Sequence, residues 1–124
     1  MKEIKNSSFI VQKYIEAPLL FRKRKFDIRI WALISHDAKL YMFREAYVRT
    51  SSEEYDLAGE KLDQVYVHLT NNAVQKYSKN YGMFEEGNIV SVKTLSQELA
   101  TQDQFQSSME AEEIESSLYE QMRE

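Results

Sequence analysis

The sequence contains no cysteine, one proline and three glycines among its 124 residues. Without cysteine, the chain can form neither a disulfide nor a thiolate metal site, which allows a reducing compartment. The glycines are scattered, so there is no glycine-rich loop to cradle a phosphate. Pro18 cannot donate a backbone hydrogen bond and is expected to mark a break or the edge of a sheet.

Long apolar runs are also missing. No stretch approaches the roughly 20 apolar residues that a membrane span needs, and the first residues, MKEIKNSS, lack the apolar segment of a signal peptide. The sequence therefore predicts a soluble, intracellular protein with no membrane partner. Its residues are 43% hydrophobic and 12% aromatic, which is enough to bury a core.

The net charge of −4 conceals an uneven distribution. Residues 1–50 hold 11 Lys or Arg against 5 Asp or Glu, whereas residues 51–124 hold 5 against 15. The basic half could face a phosphate, a nucleic acid or an acidic peptide, or it could be an ordinary solvated surface. Basic and aromatic residues do not alternate densely enough to indicate a nucleic acid partner.

The first half of the chain predicts a largely antiparallel sheet. Residues 8–15 and 25–35 are rich in β-branched and aromatic types, which favours strands. The sequence SHDAK, Ser35–Lys39, is typical of a hairpin connection. Residues 40–45 would form the returning strand and 47–50 a short continuation.

The second half predicts a loop, an irregular segment and helices. Residues 51–64 are polar and acidic, which suggests a loop or short helix, and residues 65–88 begin strand-like and become irregular. Ser91 can cap a helix running to about Ala100.

A second helix is predicted over residues 108–123, capped by Ser107 or Ser108. Ile114, Leu118 and Met122 form its apolar stripe. The whole reading is one α+β domain over residues 1–124, with the sheet over about 8–70, an irregular binding segment over about 65–90 and helices over about 91–123.

A row of charges follows the second predicted strand. Lys25, Asp27 and Arg29 share one face at spacings of about 7 Å, while the alternate residues are apolar. Trp31 and Leu33 continue the charged face as apolar residues. Two interpretations stay open: an ion-pair ladder in which Asp27 bridges two cations, or the floor of a cleft with a deep apolar end.

Other polar groups could join this row. An antiparallel return would bring Arg44 or Arg49 close to it, and arginine suits bidentate contact with phosphate or carboxylate. The alternative is that these arginines are solvated or paired with glutamate. The stretch HLTNN, residues 68–72, could bind phosphate or ribose oxygens, or could satisfy the backbone of its own turn. His68 is a weak candidate base, and no metal-ligand spacing is present.

Three stretches follow one another along roughly residues 8–90: VQKYIEAPLL, RKFDIRIWALI with YMFREAYVRTSS, and VHLTNNAVQKYSKNYGMFEEGN. Together they resemble the tubulin tyrosine ligase-like family. The resemblance implies an ATP-grasp fold, present here in part, and an ATP-dependent ligase that adds an amino acid to tubulin tails through an acyl phosphate. The implied cofactors are ATP and magnesium, and the implied partner is tubulin or microtubules.

The resemblance also implies site residues. The hinge beside adenine would be formed by Gln12, Lys13, Tyr14 and Ile15, with the base contacted by backbone groups of Lys13 and Ile15.

The remaining implied contacts come from later strands and turns. Lys25 and Asp27 would contact the nucleotide, and Asp27 suits a ribose hydroxyl. Arg29 and Arg49 would be the catalytic pair that faces the terminal phosphate and the carboxylate of the amino acid. The nucleotide pocket would be completed by Thr70 and Asn71.

The family's magnesium ligands lie on a later strand, so this chain is expected to supply none. Glu85 and Glu86 are acidic but fall in the wrong motif, and we expect them to be structural or surface groups. Two hypotheses follow: a fragment of a tubulin-modifying ligase that is inactive alone, or a degenerate non-catalytic relative that serves as a structural or microtubule-binding module. Either would be expected in the cytoplasm, on the cytoskeleton, including that of the cilium.

Overall fold

The computed structural model describes residues 10–57, 62–102 and 109–123 of the chain. In this part, strands form two antiparallel sheets. The strands are β1 (Leu20–Phe21), β2 (Arg24–Arg29), β3 (Ala32–Ile34), β4 (Leu40–Met42), β5 (Tyr47–Glu54) and β6 (Ile89–Ser91). The larger sheet has the order β1-β2-β5-β6, and β3 pairs with β4 in a separate hairpin.

The helices follow the strands β1 to β5 along the chain. They are α1 (Val65–His68), α2 (Asn72–Gln75), α3 (Val92–Ala100) and α4 (Ala111–Gln121), with a short 3-10 helix at Glu86–Asn88. An antiparallel sheet followed by helices confirms the predicted α+β class.

One face of the larger sheet carries the core. Phe26 and Ile28 of β2 alternate with the charged residues and pack towards α3 and α4, as their spacing predicted. The buried cluster consists of Phe21, Val48, Val92, Leu95, Leu99 and Ile114. By alternation, Lys25, Asp27 and Arg29 lie on the opposite face, where a ligand could approach.

Helix α3 begins where the sequence predicted. Ser91 is both the last residue of β6 and the N-cap of α3, and its Oγ accepts a hydrogen bond from the backbone N–H of Thr94 at 3.0 Å. The strand thus passes into the helix with no connecting loop. Leu95 and Leu99, one turn apart, are both buried against the sheet.

Helix α4 is confirmed with shorter bounds. It is preceded by Glu110, whose backbone N–H donates to Oε2 of Glu113 at 2.9 Å, and the predicted caps Ser107 and Ser108 lie outside the described residues. Ile114 is buried and Leu118 packs against the core, as the predicted stripe requires.

Two predicted strands differ from the structure. Residues 10–15 form no strand within the described part of the chain, and Ile10 and Val11 are 88% and 96% exposed. Their β-branched side chains favour a strand only where a neighbouring strand and a packing surface exist. The predicted strand 25–35 is interrupted at residues 30 and 31, because β2 belongs to the larger sheet and β3 to the hairpin.

The predictions for residues 51–64 and 65–68 were wrong in part. Residues 51–54 continue β5 instead of starting a loop, and Ser51 and Ser52 are buried despite being polar. Residues Val65–His68 form the helix α1 instead of a strand. Residues 69–88 are irregular, as predicted, apart from α2 and the 3-10 helix, while Ile89 and Val90 belong to β6.

Both hairpin turns use residues with positive φ. In the β1–β2 turn, Arg22 and Lys23 have φ of 48° and 62°, the conformation of a type I′ turn. In the β3–β4 turn, which confirms the predicted SHDAK connection, Ala38 has φ of 59°. Tyr55 donates its backbone N–H to the carbonyl of Lys23 at 2.8 Å, which ties the first turn to the end of β5.

Candidate functional site

Asp27 and Arg49 form the centre of the charged face. They lie directly opposite each other on β2 and β5, and Arg49 Nε donates to Asp27 Oδ1 at 2.9 Å while Nη2 donates to Oδ2. Such a bidentate pair is geometrically well defined. The hydrogen bond from the guanidinium to Asp27 raises the pKa of Arg49. The ladder hypothesis is therefore wrong in its proposed form, because Asp27 pairs across the sheet with Arg49.

Lys25 and Arg29 interact with aromatic rings. Lys25 Nζ lies 3.2 Å from Tyr14 Oη and 4.7 Å from the centroid of its ring. The guanidinium carbon of Arg29 lies 4.8 Å from the ring centroid of Trp31. Arg29 and Trp31 are exposed. Among the described residues, the apolar end of the row is an open hollow of about 550 Å³, lined in part by Trp31 and Leu33, and not an enclosed cleft.

Tyr14 links the predicted hinge to the sheet and to α1. Its hydroxyl lies 2.8 Å from Nδ1 of His68, and the two rings meet edge to face. Tyr55 donates its hydroxyl to the carbonyl of Glu16 at 2.9 Å and lies 3.5 Å from the carbonyl of Ile15. Burial raises the pKa of Tyr55, and its hydrogen bond with Tyr14 adds to the effect. These contacts hold residues 14–16 beside β2.

The other predicted hinge residues face solvent. The side chains of Gln12 and Lys13 are exposed, and that of Ile15 is 73% exposed. The predicted base contacts are backbone groups of Lys13 and Ile15, so exposed side chains there do not conflict with that prediction.

A cavity of about 150 Å³ opens beside the ion pair. Its lining is mostly polar: Tyr47, Arg49, Thr70, Asn72, Gln75, Tyr81, Gly87, Asn88 and Ile89. Thr70 is only 8% exposed. The turn after α1 thus brings Thr70 to the same cavity as Arg49, although the two lie on separate elements.

Asn71 occupies the start of α2. Its carbonyl accepts hydrogen bonds from the backbone N–H groups of Val74 and Gln75, both at 2.9 Å. Its side chain is exposed, and the neighbouring Asn72 lines the cavity, with Oδ1 accepting from the Tyr81 hydroxyl at 2.7 Å. Of the HLTNN stretch, Thr70 and Asn72 therefore contribute directly to the cavity.

The sequence did not predict that Arg24 and Glu85 are partners. The two side chains form a buried ion pair, with 2% and 8% of their surfaces exposed. The Arg24 guanidinium lies 4.4 Å from the ring centroid of Phe84 and also donates to the Ser51 carbonyl at 3.1 Å. Glu85 is structural, as predicted, and fixes the segment before β6 against β2. No local signal marks a pair separated by 61 residues.

The sequence also did not predict that Gln75 and Asn88 belong to the candidate site. Gln75 is fully buried, and Asn88 donates to the Thr50 carbonyl at 3.0 Å and accepts from the backbone N–H of Gly82 at 2.8 Å. A buried amide is unusual enough to suggest a hydrogen-bonding task. The sequence alone gives no sign that these amides are buried.

Within residues 10–57, 62–102 and 109–123, no three His, Asp or Glu side chains converge as metal ligands. None of the helices in the described part of the chain has the length and apolar character of a membrane span.

The antiparallel sheet with a charged face, followed by helices, is part of an ATP-grasp fold. The chain belongs to the tubulin-tyrosine ligase family, whose model matches residues 1–124.

Several curated proteins resemble the chain over about three fifths of its length. It is 45% identical over 78 residues to tubulin glycylase 3B of Tetrahymena thermophila, which covers 61% of this chain and 6% of the relative. It is 45% identical over 78 residues to protein monoglycylase TTLL8 of Homo sapiens, covering 61% and 9%. It is 38% identical over 76 residues to the probable alpha-tubulin polyglutamylase Ttll1 of Tetrahymena thermophila, covering 60% and 18%. The chain therefore matches a small part of the length of these relatives.

Proposed function

We propose that the chain forms part of the nucleotide site of an ATP-dependent ligase that joins an amino acid to tubulin. The observation that carries the proposal is the single sheet face on which Tyr14, Lys25, Asp27, Arg49 and Thr70 come together. Two of the three relatives are named as tubulin-modifying proteins, which supports the substrate class. Two of the three are glycylases, so glycine is the first amino acid to test.

The residues present fit the groups of a nucleotide. Lys25, Arg29 and Arg49 are cations on or beside one face, as phosphates require. Backbone groups of Lys13 and Ile15, in the segment held by Tyr14 and Tyr55, would contact the base. Thr70 and Asn71 would complete the pocket.

The Asp27–Arg49 ion pair is compatible with ligand binding. A carboxylate offers about four acceptor positions and a guanidinium five N–H donors, and each partner uses only two in the pair. Asp27 is 37% exposed and Arg49 19% exposed, so both can still be reached. Asp27 could accept a ribose hydroxyl, while the remaining donors of Arg49 could bind a phosphate or carboxylate.

ATP, with magnesium, would supply the activated phosphoryl group that converts a carboxylate into an acyl phosphate. The part of this chain would be to hold and orient the nucleotide and to place cations where negative charge develops. We assign magnesium no ligand among the described residues. The expected location is the cytoplasm, on the cytoskeleton, with the cilium as one of its sites.

The test is the effect of Asp27→Asn on ATP affinity, measured by calorimetry in the longest protein that the gene encodes. A charge-assisted hydrogen bond contributes about 1.5–3 kcal/mol, so affinity should fall roughly ten- to a hundredfold. Arg49→Lys is the companion variant: it keeps the charge but loses the planar fork, so turnover should fall more than thermal stability.

The same protein is incubated with tubulin, ATP, magnesium and labelled glycine, glutamate or tyrosine. Incorporation that depends on Arg49 supports the ligase. An Asp27→Asn protein that binds ATP as tightly as the parent would remove the charged face from the nucleotide site. Binding to tubulin with no incorporation would favour the non-catalytic module instead.

A further inference from the structure

Gln75, the last residue of α2, makes four hydrogen bonds with two separate parts of the chain. Its Oε1 accepts from the backbone N–H of Ser52 at 2.9 Å and from the Ser52 hydroxyl at 2.6 Å. Its Nε2 donates to the carbonyl of Tyr66 at 3.1 Å and to the carbonyl of Leu69. The side chain is completely buried, and both of its amide donors are used.

These bonds connect β5 to the turn that carries Thr70. Ser52 lies on β5 three residues after Arg49, about 10 Å along the strand. Leu69 directly precedes Thr70, and its carbonyl is held by Gln75. One amide therefore fixes the separation between the strand of Arg49 and the turn of Thr70 and Asn71.

We propose that Gln75 is a positioning residue for the candidate nucleotide site, holding Thr70 and Asn71 at a set distance from Arg49. The proposal rests on the proposed function, because it assigns these residues to a nucleotide. Gln75 would not need to touch the ligand; it acts through the turn. Its place in the lining of the cavity shared by Arg49 and Thr70 agrees with this role.

The chemistry of the amide explains why another side chain would not serve. Ser52 presents donors, so it needs an acceptor, whereas the carbonyls of Tyr66 and Leu69 need donors. Glutamine supplies both at the end of one side chain. A carboxylate of the same shape keeps the acceptor for Ser52 but meets two carbonyl oxygens with no hydrogen to donate. Gln75→Glu therefore weakens the hold on the turn and spares the bond to the strand.

The experiment compares Gln75→Glu with Ser96→Ala in the longest protein that the gene encodes. Ser96 is also buried and polar, and its hydroxyl donates to the Val92 carbonyl at 2.8 Å within α3, which packs on the opposite face of the sheet. Backbone amide exchange is measured residue by residue, and ATP affinity is measured by calorimetry with magnesium present.

For Gln75→Glu we expect amide exchange at residues 69–72 to rise about tenfold, with β2 and β6 unchanged, and ATP affinity to fall about tenfold. Ser96→Ala should change neither, even where it lowers the unfolding temperature. If Gln75→Glu does not fold, Gln75→Asn replaces it: the shorter side chain keeps both polar groups but cannot span from Ser52 to Leu69.

Unchanged exchange at residues 69–72 in a folded Gln75 variant would overturn the proposal. So would an equal rise across the whole protein, which is the signature of general destabilisation. A parent protein that does not bind ATP would reject the proposed function instead. The exchange comparison would still decide whether Gln75 fixes the turn of Thr70.

Discussion

The larger sheet and the β3–β4 hairpin contain similar apolar residues but differ in what covers them. In the larger sheet, α3 and α4 bury one face, and Val48 is fully buried. In the hairpin, Leu33 and Ile34 are 64% and 71% exposed although they point to opposite faces. Neither face of the hairpin is covered within the described part of the chain. Alternating strand sequence thus specifies pairing, whereas burial requires a further element.

The largest difference in unfolding free energy should come from the ion pairs of the two regions, Arg24–Glu85 in the larger sheet and Asp37–Lys39 in the hairpin. Glu85→Gln leaves Arg24 buried without its counter-ion, and breaking a buried pair costs about 3–5 kcal/mol of unfolding free energy. Asp37→Asn, which removes the exposed pair with Lys39 in the hairpin, should leave the unfolding transition unchanged. Urea unfolding of both variants makes the comparison. Equal effects would show that the hairpin is as well packed as the sheet.

Leucine substitutions in the two regions should give the next largest difference in unfolding free energy. Leu95 is fully buried under the larger sheet, and Leu95→Ala should lower the unfolding free energy by about 2–5 kcal/mol. Leu40 of the hairpin is 70% exposed, and Leu40→Ala should change it by less than about 0.5 kcal/mol. Thermal unfolding of the two proteins provides the measurement. A large loss in Leu40→Ala would mean that another surface covers the hairpin.

The turns offer a smaller, stabilising comparison. Lys23 and Ala38 both have φ near +60°, where a side chain costs roughly 1–2 kcal/mol and glycine loses about 0.5–1 kcal/mol in chain entropy. Lys23→Gly should therefore stabilise the larger sheet by about 0.5–1 kcal/mol, visible as a higher unfolding temperature. Ala38→Gly should increase hairpin order in NMR spectra without moving that temperature. A fall in stability for Lys23→Gly would contradict the assigned turn.

The smallest effect should be the response of the hairpin to acid. Hydrogen bonds from Lys39 and then from Ser35 lower the pKa of Asp37. Because the pKa is lowered in the folded state, the contribution of Asp37 to the stability of the turn is complete above its ordinary pKa. That contribution is lost as the pH falls below this value. The NMR chemical shifts of the Ser35–Lys39 turn should therefore change at a pH below the ordinary aspartate pKa, which is about 4. Titration at or above the ordinary value would show that these hydrogen bonds do not form.

Local signals in the sequence predicted the parts of the fold that depend on near neighbours. Ser91 predicted the start of α3, and the SHDAK connection predicted the hairpin. Ser51 and Ser52 were predicted to lie in a loop or short helix because the segment is polar. They are buried in β5 because Arg24, Gln75 and Asn88, all more than 20 residues away, satisfy their hydrogen bonds.

The candidate site also divides into features that near neighbours in the sequence determine and features that distant contacts determine. The shared face of Lys25, Asp27 and Arg29 followed from strand alternation alone. The pairing of Asp27 with Arg49 depends on the register of β2 against β5, which no local pattern fixes. The position of Thr70 near Arg49 depends on α1. The β-branched residues of α1 favour a strand, but tertiary packing makes them helical. The roles assigned to these residues at a nucleotide remain predictions.

The direct passage from β6 into α3 at Ser91 limits how the length of the chain can vary among relatives. A residue inserted after Ser91 would rotate the helix by about 100° relative to the strand, carrying Leu95 and Leu99 away from the sheet. No loop is present to absorb the change. The exposed Ser35–Lys39 turn, by contrast, can lengthen into solvent at little cost. Alignments of the family should therefore show gaps at the hairpin turn and a constant spacing from β6 through α3.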